Sequence, residues 1–271
     1  MENTKKIAIL IDGDNAEASL IDPILNESAK YGRVTIKRIY ADWTSPKMNS
    51  WKDKLNKYAI KPMQKFAYTK GKNSTDSALI IDAMDILHSK LVDGFCIVSS
   101  DSDYTSIANR IREEGMFVMG IGRFNTPEAF VKACEQFTYT EILTPTQEIV
   151  KKSKKTKKVE KNGNIIPAQI TPEAQELKTK NEINLSKLIN KLTNKPIDLS
   201  LIDRAFDMVA DDITSLALAS RLGEAIRKID PTFDSRNYGF SSFRKFIEAL
   251  KPVYEVVKHD DNSTISVKRK E

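Results

Sequence analysis

The sequence predicts an α/β fold with a mainly parallel sheet, followed by a small winged-helix-like α+β domain. Apolar runs rich in β-branched residues alternate with amphipathic helical patterns over residues 5–137, which is typical of a parallel sheet covered by helices. The two most apolar runs, at 7–11 and 95–98, each end in closely spaced aspartates. A lysine-rich block at 151–158 then separates this part from a second, differently patterned stretch.

Five strands and five helices are expected in the first part, in strict alternation. Right-handed crossovers are the rule for such units, and sites form where the carboxyl ends of strands meet at a topological switch point. The strand order 3-2-1-4-5 would make the first and fourth strands neighbours at that point. Gly120 and Gly122 are interpreted as a turn after the fifth strand. The strands are predicted at 5–11, 34–40, 62–68, 94–99 and 116–120, and the helices at 16–31, 51–58, 76–88, 103–113 and 126–137.

An acidic constellation follows from this arrangement, because both aspartate pairs would lie at one edge of the sheet. An Asp at a strand end often only caps a turn. Two strand ends that each carry aspartates, together with a third Asp at the start of a helix, nevertheless favour a shared metal site. Asp82 and Asp85 point away from Asp76 along the same helix and are secondary. The candidates are Asp12, Asp14, Asp76, Asp101 and Asp103, with Asn15 as a neutral partner.

A cation would offset the repulsion between carboxylates gathered in this way. Each pair within about 4 Å repels by roughly 4 kcal/mol at an effective dielectric of 20. Oxygen ligands without His or Cys favour Mg²⁺ or Mn²⁺, which activate water and neutralise charge on a phosphate. His88 and His259 lie far from the acidic tips in sequence, which disfavours a His-based ribonuclease or a Ser-His-Asp hydrolase. Neither a Walker-type loop nor a Gly-x-Gly-x-x-Gly after the first strand is present.

The charge distribution separates the chain into three parts. Residues 1–145 balance at 19 basic and 19 acidic side chains, whereas residues 146–180 carry 9 basic and 4 acidic ones. The middle part is therefore expected to be a flexible basic linker, acting either as a solubilising tether or as a grip on a polyanion. Lys72 and Arg123 are candidate phosphate contacts. Trp43, Tyr68 and Phe124 would either stack on bases or pack in the core.

The C-terminal part is expected to be a small helical domain with a β-wing. Helical patterns occur at 183–192, 199–209, 215–221, 223–229 and 238–250, and strands are predicted at 253–257 and 263–267. In the 238–250 helix, the residues assigned to the core are Phe240, Phe243, Phe246 and Leu250. Its polar face and a preceding arginine supply the candidate nucleic-acid contacts, which are Arg236, Arg244 and Lys245.

Cysteine content and hydropathy point to an unexported protein. Two cysteines make no disulfide framework, and the polar N-terminus has no apolar segment of the kind that signals export. Nowhere do 18 apolar residues run together, so we expect no membrane association and a cytoplasmic location.

Three motifs in residues 5–140 resemble the NYN domain, a LabA-like family of the PIN-like nuclease superfamily. They are Leu10-Ile-Asp-Gly-Asp-Asn15, Lys72-Asn-Ser-Thr-Asp76-Ser-Ala-Leu-Ile-Ile-Asp82-Ala-Met84 and Val98-Ser-Ser-Asp101-Ser-Asp103-Tyr104. The resemblance implies a Rossmann-like sheet and a metal-dependent, endonucleolytic ribonuclease. Asp14 falls where the family varies, and Asn15 matches the polar partner. The acids that the resemblance makes metal-binding are Asp12, Asp76, Asp101 and Asp103.

A second resemblance covers residues 181–268. The stretches Leu218-Ala-Ser-Arg-Leu-Gly223, Pro231-Thr-Phe-Asp234 and Tyr238-Gly-Phe-Ser-Ser-Phe243 are similar to the OST-HTH (LOTUS) domain. This implies an RNA-binding or partner-docking module, including docking to a second copy of the chain. The expected organisation is a nuclease domain at 1–145, a linker at 146–180 and an OST-HTH domain at 181–271.

Two alternatives to the ribonuclease remain open. In the first, the acidic cleft is vestigial and the chain is a non-catalytic RNA-binding or regulatory adaptor. In the second, the chain is a DNA flap nuclease, which differs from a ribonuclease in not requiring the 2′-hydroxyl.

Overall fold

The computed structural model describes residues 4–65, 74–143, 197–259 and 264–270. The predicted linker, the helical pattern at 183–192, Tyr68 and Lys72 lie outside them. The chain divides into two compact units, one formed mainly by residues 1–144 and the other by most of the remaining chain.

The first unit is built on a six-stranded sheet in which every strand pair is parallel. Its order, β3-β2-β1-β4-β5-β6, confirms the α/β prediction and the neighbouring positions of the first and fourth strands. The strands are β1 Lys6–Asp12, β2 Arg33–Ala41, β3 Lys61–Gln64, β4 Gly94–Val98, β5 Phe117–Gly122 and β6 Gln136–Tyr139.

Helices connect the strands and cover both faces of the sheet. Short 3-10 turns precede several of them, at Ala18–Leu20, Pro46–Met48 and Ser102–Tyr104, and another follows β6 at Thr140–Ile142. The helices of this unit are α1 Ile21–Ala29, α2 Asn49–Tyr58, α3 Ser74–Ser89, α4 Thr105–Glu113 and α5 Glu128–Ala133.

The period of two along β1 divides its side chains between the two faces. Ile7, Ile9 and Ile11 pack into the cluster that includes residues of α1 and α2, whereas Ala8 and Leu10 pack with residues of α3 and α4. Asp12 is next in the second series and is fully buried. The strand therefore directs this carboxylate toward the side of the sheet that α3 and α4 cover.

The predicted helix at 126–137 was wrong in its second half. Helix α5 ends at Ala133, Cys134 is already extended, and the chain continues into the edge strand β6. The β-forming run Phe137-Thr-Tyr139 accounts for the strand. The turn assigned to Gly120 and Gly122 was also wrong, because both lie within β5.

The two glycines in β5 are required because neighbouring atoms leave no room for a side chain. A Cβ on Gly120 would collide with the ring of Phe137, which is fully buried beside it. A Cβ on Gly122 would collide with the backbone carbonyl oxygen of Ser99 and lie 2.6 Å from the hydroxyl of Thr126. Gly122 thus permits the end of β5 to lie against the loop that follows β4.

The second unit is a small α+β fold, as predicted. Its three-stranded antiparallel sheet has the order β7-β9-β8. The Asp198 carboxylate caps the first helix by accepting from the backbone N–H of Ser200, and Ser242 caps the last. The elements are α6 Leu199–Asp207, β7 Ala217–Leu218, α7 Ala219–Ile229, α8 Phe243–Ala249, β8 Tyr254–Lys258 and β9 Ile265–Arg269.

Two helix predictions in this unit were wrong in detail. The expected pieces at 215–221 and 223–229 are a short strand and one continuous helix, α7, which accommodates Gly223 where the Phe243 ring packs against it. The helix expected from residue 238 begins at Phe243, because Gly239 adopts a φ of 85° and ends a separate 3-10 turn. Phe246 and Leu250 are buried as expected, and Phe240 and Phe243 pack on Phe246 while half-buried.

Within the described part of the chain, every helix is too short or too polar to cross a lipid bilayer.

The role of Gly122 gives a prediction about stability. Replacing Gly122 with Ala should lower the free energy of unfolding by about 1–3 kcal/mol, because the added methyl group overpacks a site bounded by backbone. Urea denaturation of the wild-type and G122A chains measures the difference. Equal midpoints would mean that the loop after β4 yields freely to the methyl group.

Candidate metal centre

Asp12 ends β1 and holds its carboxylate in a fully buried position. One oxygen accepts from the backbone N–H of Asp14 at 3.1 Å. The other accepts from the Asn15 side-chain amide at 2.6 Å and from the Ser99 hydroxyl at 2.8 Å. Burial raises the pKa of Asp12, while these hydrogen bonds act in the opposite direction. Asn15, predicted as a neutral partner of the acids, thus donates a hydrogen bond to Asp12.

Ser99 connects the ends of β1 and β4. Its hydroxyl donates to Asp12 and accepts from the backbone N–H of Asp101 at 3.1 Å. Asp101 in turn caps the following 3-10 turn, accepting from the backbone N–H of Asp103 at 3.0 Å. Local hydrogen bonds thus fix the loop that carries two of the predicted acids.

Asp76 lies in the first turn of α3, at the same edge of the sheet. Its carboxylate accepts a 2.6 Å hydrogen bond from the hydroxyl of Tyr104, whose ring is fully buried against α3 and α4. Burial, followed by the charge of Asp12 and the contact with Asp76, raises the pKa of Tyr104 far above its ordinary value. Tyr104 therefore remains a hydrogen-bond donor.

Three carboxylates form a compact group. One oxygen from each of Asp76, Asp101 and Asp103 lies within 4.8 Å of the others. Burial, and then the charges of Asp12, Asp101 and Asp103, raise the pKa of Asp76, while the Tyr104 hydrogen bond opposes them. Asp12 is thus near enough to affect the ionisation of Asp76, although it lies outside the three-oxygen group.

The donor set fits a hard divalent cation. All the charged donors in the group are carboxylate oxygens, which Mg²⁺ and Mn²⁺ prefer over the nitrogen and sulfur ligands typical of zinc. A cation would also offset the repulsion between carboxylates, which adds to the effect of burial on the pKa of Asp76.

Other predicted residues lie outside this group. Asp14 is exposed, and Asp82 binds Arg38 and Tyr40 farther along α3. Arg123 follows β5 and forms an ion pair with Glu17 at 3.1 Å. His88, whose position in the sequence disfavoured a catalytic role, is exposed in the last turn of α3, whereas Asp76 lies in the first.

The basic residues predicted in the second unit differ in their surroundings. Arg236 is partly buried and forms an ion pair with Asp234 at 2.6 Å. Arg244 lies 3.6 Å from Glu248 on the exposed side of α8, and Lys245 is exposed beside it. Arg244 and Lys245 are therefore the more accessible pair.

Sequence reasoning assigned no role to Ser99 or Tyr104. Both belong to the motif that supplied Asp101 and Asp103, but a hydroxyl next to an acidic tip is common in loops. Only the placement of α3 and α4 shows that Tyr104 reaches Asp76 across 28 positions of the sequence.

Comparisons with known proteins agree with both resemblances. The NYN domain model matches residues 6–143, and the OST-HTH/LOTUS domain model matches residues 209–266, a shorter span than the predicted 181–268. A search of curated proteins finds no significant match.

Similarity to solved structures is low. A protein of unknown function from Vibrio parahaemolyticus is 21% identical, covers 51% of this chain and 94% of its own, and has a TM-score of 0.44. A UDP-N-acetylglucosamine 2-epimerase is 11% identical, covers 58% of this chain and 44% of its own, and has a TM-score of 0.38. Likenesses this low carry no argument about function. The NYN match, however, spans about half of the sequence and contains the whole parallel sheet, and the chain belongs to the NYN domain family.

Proposed function

We propose that the protein is a metal-dependent ribonuclease that cleaves RNA phosphodiesters endonucleolytically, with a C-terminal module that binds the RNA. The NYN match supports a PIN-like nuclease, and the OST-HTH match supports RNA binding. In this proposal, residues 1–145 form the nuclease domain, residues 146–180 form a basic linker and residues 181–271 form the RNA-binding domain.

The observation that carries the proposal is the group formed by Asp76, Asp101 and Asp103. These three acids, with Asp12 as a further candidate ligand, would hold Mg²⁺ or Mn²⁺. Such an ion supplies a water of lowered pKa and neutralises charge that develops on the cleaved phosphate. Asn15 and Ser99 hold Asp12 in place, and Tyr104 orients Asp76. The RNA backbone would be held by Lys72 and Arg123 in the first domain and by Arg236, Arg244 and Lys245 in the second.

Cleavage of RNA is the first test. The purified full chain should cut single-stranded RNA in Mn²⁺ or Mg²⁺ and lose this activity in excess EDTA, because carboxylates alone cannot stabilise the developing negative charge. D101N should be inactive, whereas D53N, which changes an exposed Asp on α2, should retain full activity. Gel analysis of end-labelled RNA measures the products.

Cleavage that persists in EDTA would overturn metal dependence. Complete absence of cleavage by the wild type, together with equal RNA binding by D101N, would favour the adaptor. Equal cutting of a DNA strand of the same sequence would favour the flap nuclease over a ribonuclease, since the 2′-hydroxyl would then be irrelevant.

Thermal stability tests the metal site itself. Without metal, D101N should be at least as stable as the wild type, because Asn retains the oxygen that accepts from Asp103 and removes one repelling charge. Mn²⁺ at a hundredfold excess over its Kd should stabilise the wild type by about 2.7 kcal/mol and the mutant far less. Differential scanning fluorimetry measures both. An equal rise in melting temperature for the two proteins would locate the metal elsewhere.

The Tyr104 hydroxyl should tune the site through Asp76. Outer hydrogen-bond partners of metal ligands typically contribute 10–100-fold to metal affinity or activity. We therefore expect Y104F to require about tenfold more Mn²⁺ for half-maximal cleavage. Y40F is the matched control, because it removes another buried hydroxyl, one that binds Asp82. Equal Mn²⁺ requirements for Y104F and Y40F would contradict a role for Tyr104 in orienting Asp76.

A further inference from the structure

An exposed aromatic ring lies at the same sheet edge as the acids. Phe124 follows the end of β5 by two residues, and 57% of its surface is exposed. Its backbone N–H donates to both carboxylate oxygens of Glu141, at 3.0 and 3.2 Å, which fixes the loop. The backbone of this loop is thus held in place, while more than half of the Phe124 surface is open to solvent.

A chain of packed rings supports Phe124 from beneath. Its centroid lies 4.7 Å from that of Tyr139, which packs on Phe137 at 5.4 Å. Phe137 packs edge-on against Phe130 at 5.9 Å, and Phe130 lies 6.3 Å from Tyr104. Because the Tyr104 hydroxyl binds Asp76, this chain of rings places Phe124 on the face of the sheet that carries the acids.

Backbone contacts tie the Phe124 loop to the loop that carries Asp101. The backbone N–H of Arg123 donates to the Ser100 hydroxyl at 2.9 Å, and that of Ser99 donates to the carbonyl of Ile121 at 3.0 Å. The two loops therefore lie next to each other, at the ends of the neighbouring strands β4 and β5. A ligand that reaches the carboxylates from this side would meet Phe124.

The charges on the described loops beside the acids favour a contact that does not depend on charge. The stretches after β1, β4, β5 and β6, at 13–17, 99–103, 123–127 and 140–142, are all described, and they contain one basic side chain, Arg123. Its guanidinium is half-exposed and paired with Glu17. An exposed ion pair of this kind is weak, so a phosphate can replace the glutamate. Within these four stretches, one arginine among several acids attracts a polyanion only slightly.

We infer that Phe124 is a stacking platform for an unpaired base of single-stranded RNA, with Arg123 contacting the neighbouring phosphate. This rests on the proposed function and narrows its substrate to single-stranded or looped RNA. Bases stack on exposed aromatic rings when they are not paired, whereas a duplex hides its base faces. A lone ring flanked by Arg123 and Asn125, both exposed, is also too small an apolar surface for a protein partner.

Binding measured in EDTA tests this subsite without cleavage. The full chain is titrated with a short fluorescent single-stranded RNA and with the same sequence as a duplex, at several salt concentrations. F124L keeps an apolar side chain and removes the ring, and it should bind the single strand about tenfold more weakly without changing the salt dependence. R123Q should instead lower the slope of log K against log salt by about 0.7, the contribution of one phosphate on a single strand.

A local probe separates this subsite from RNA bound elsewhere on the chain. F124W should bind the single strand at least as tightly as the wild type, and its additional indole fluorescence should be quenched by the RNA. Duplex binding should be the same for F124L and the wild type. Wild-type affinity of F124L for the single strand, or an unquenched indole in F124W, would overturn the inference.

The two proposals fail separately. If wild-type protein does not cleave RNA in Mn²⁺ but F124L still loses affinity in EDTA, the ribonuclease is refuted and the stacking subsite stands. If the wild-type protein cleaves RNA, and F124L binds and cleaves RNA as well as the wild type, the subsite is refuted and the ribonuclease stands.

Discussion

The mutual repulsion of aspartates at one edge of a parallel sheet is the constraint on which this site depends. The strand order makes the ends of β1 and β4 neighbours, and α3 adds a third acid at its first turn. Burial and the nearby carboxylates raise the pKa of Asp76, so the folded chain holds these charges at a cost. A divalent cation would offset the part of that cost that comes from repulsion between the carboxylates. This is the physical reason for linking the acidic group to metal chemistry.

Hydroxyl groups hold the acids in place. Ser99 bridges Asp12 and the backbone of Asp101, and Tyr104 donates to Asp76 from the core beneath α3 and α4. The same core continues through packed rings to Phe124, so one aromatic layer supports both the acids and the exposed ring. The same residues therefore pack the core of the domain and position the side chains of the candidate site.

Much of the first unit could be predicted from its sequence, because buried parallel strands read as apolar runs and their acidic ends are conspicuous. The edge strand β6 was missed because a short strand directly after a helix continues the apolar pattern, and only the space left by Gly120 for Phe137 identifies it. The grouping of Asp76 with Asp101 and Asp103 depended on where α3 begins, which sequence spacing does not determine. Tyr104 illustrates the same limit, since its contact with Asp76 arises from the packing of two helices on one face.

The metal centre is tested most directly by diffraction from crystals soaked in Mn²⁺, with data recorded at an X-ray wavelength at which manganese scatters anomalously. We expect one or more anomalous peaks within coordination distance of carboxylate oxygens of Asp76, Asp101 and Asp103. The peaks should disappear from crystals of D101N. Soaked wild-type crystals without a peak at this edge of the sheet, or with manganese bound only elsewhere, would contradict the central claim that these acids form a metal centre.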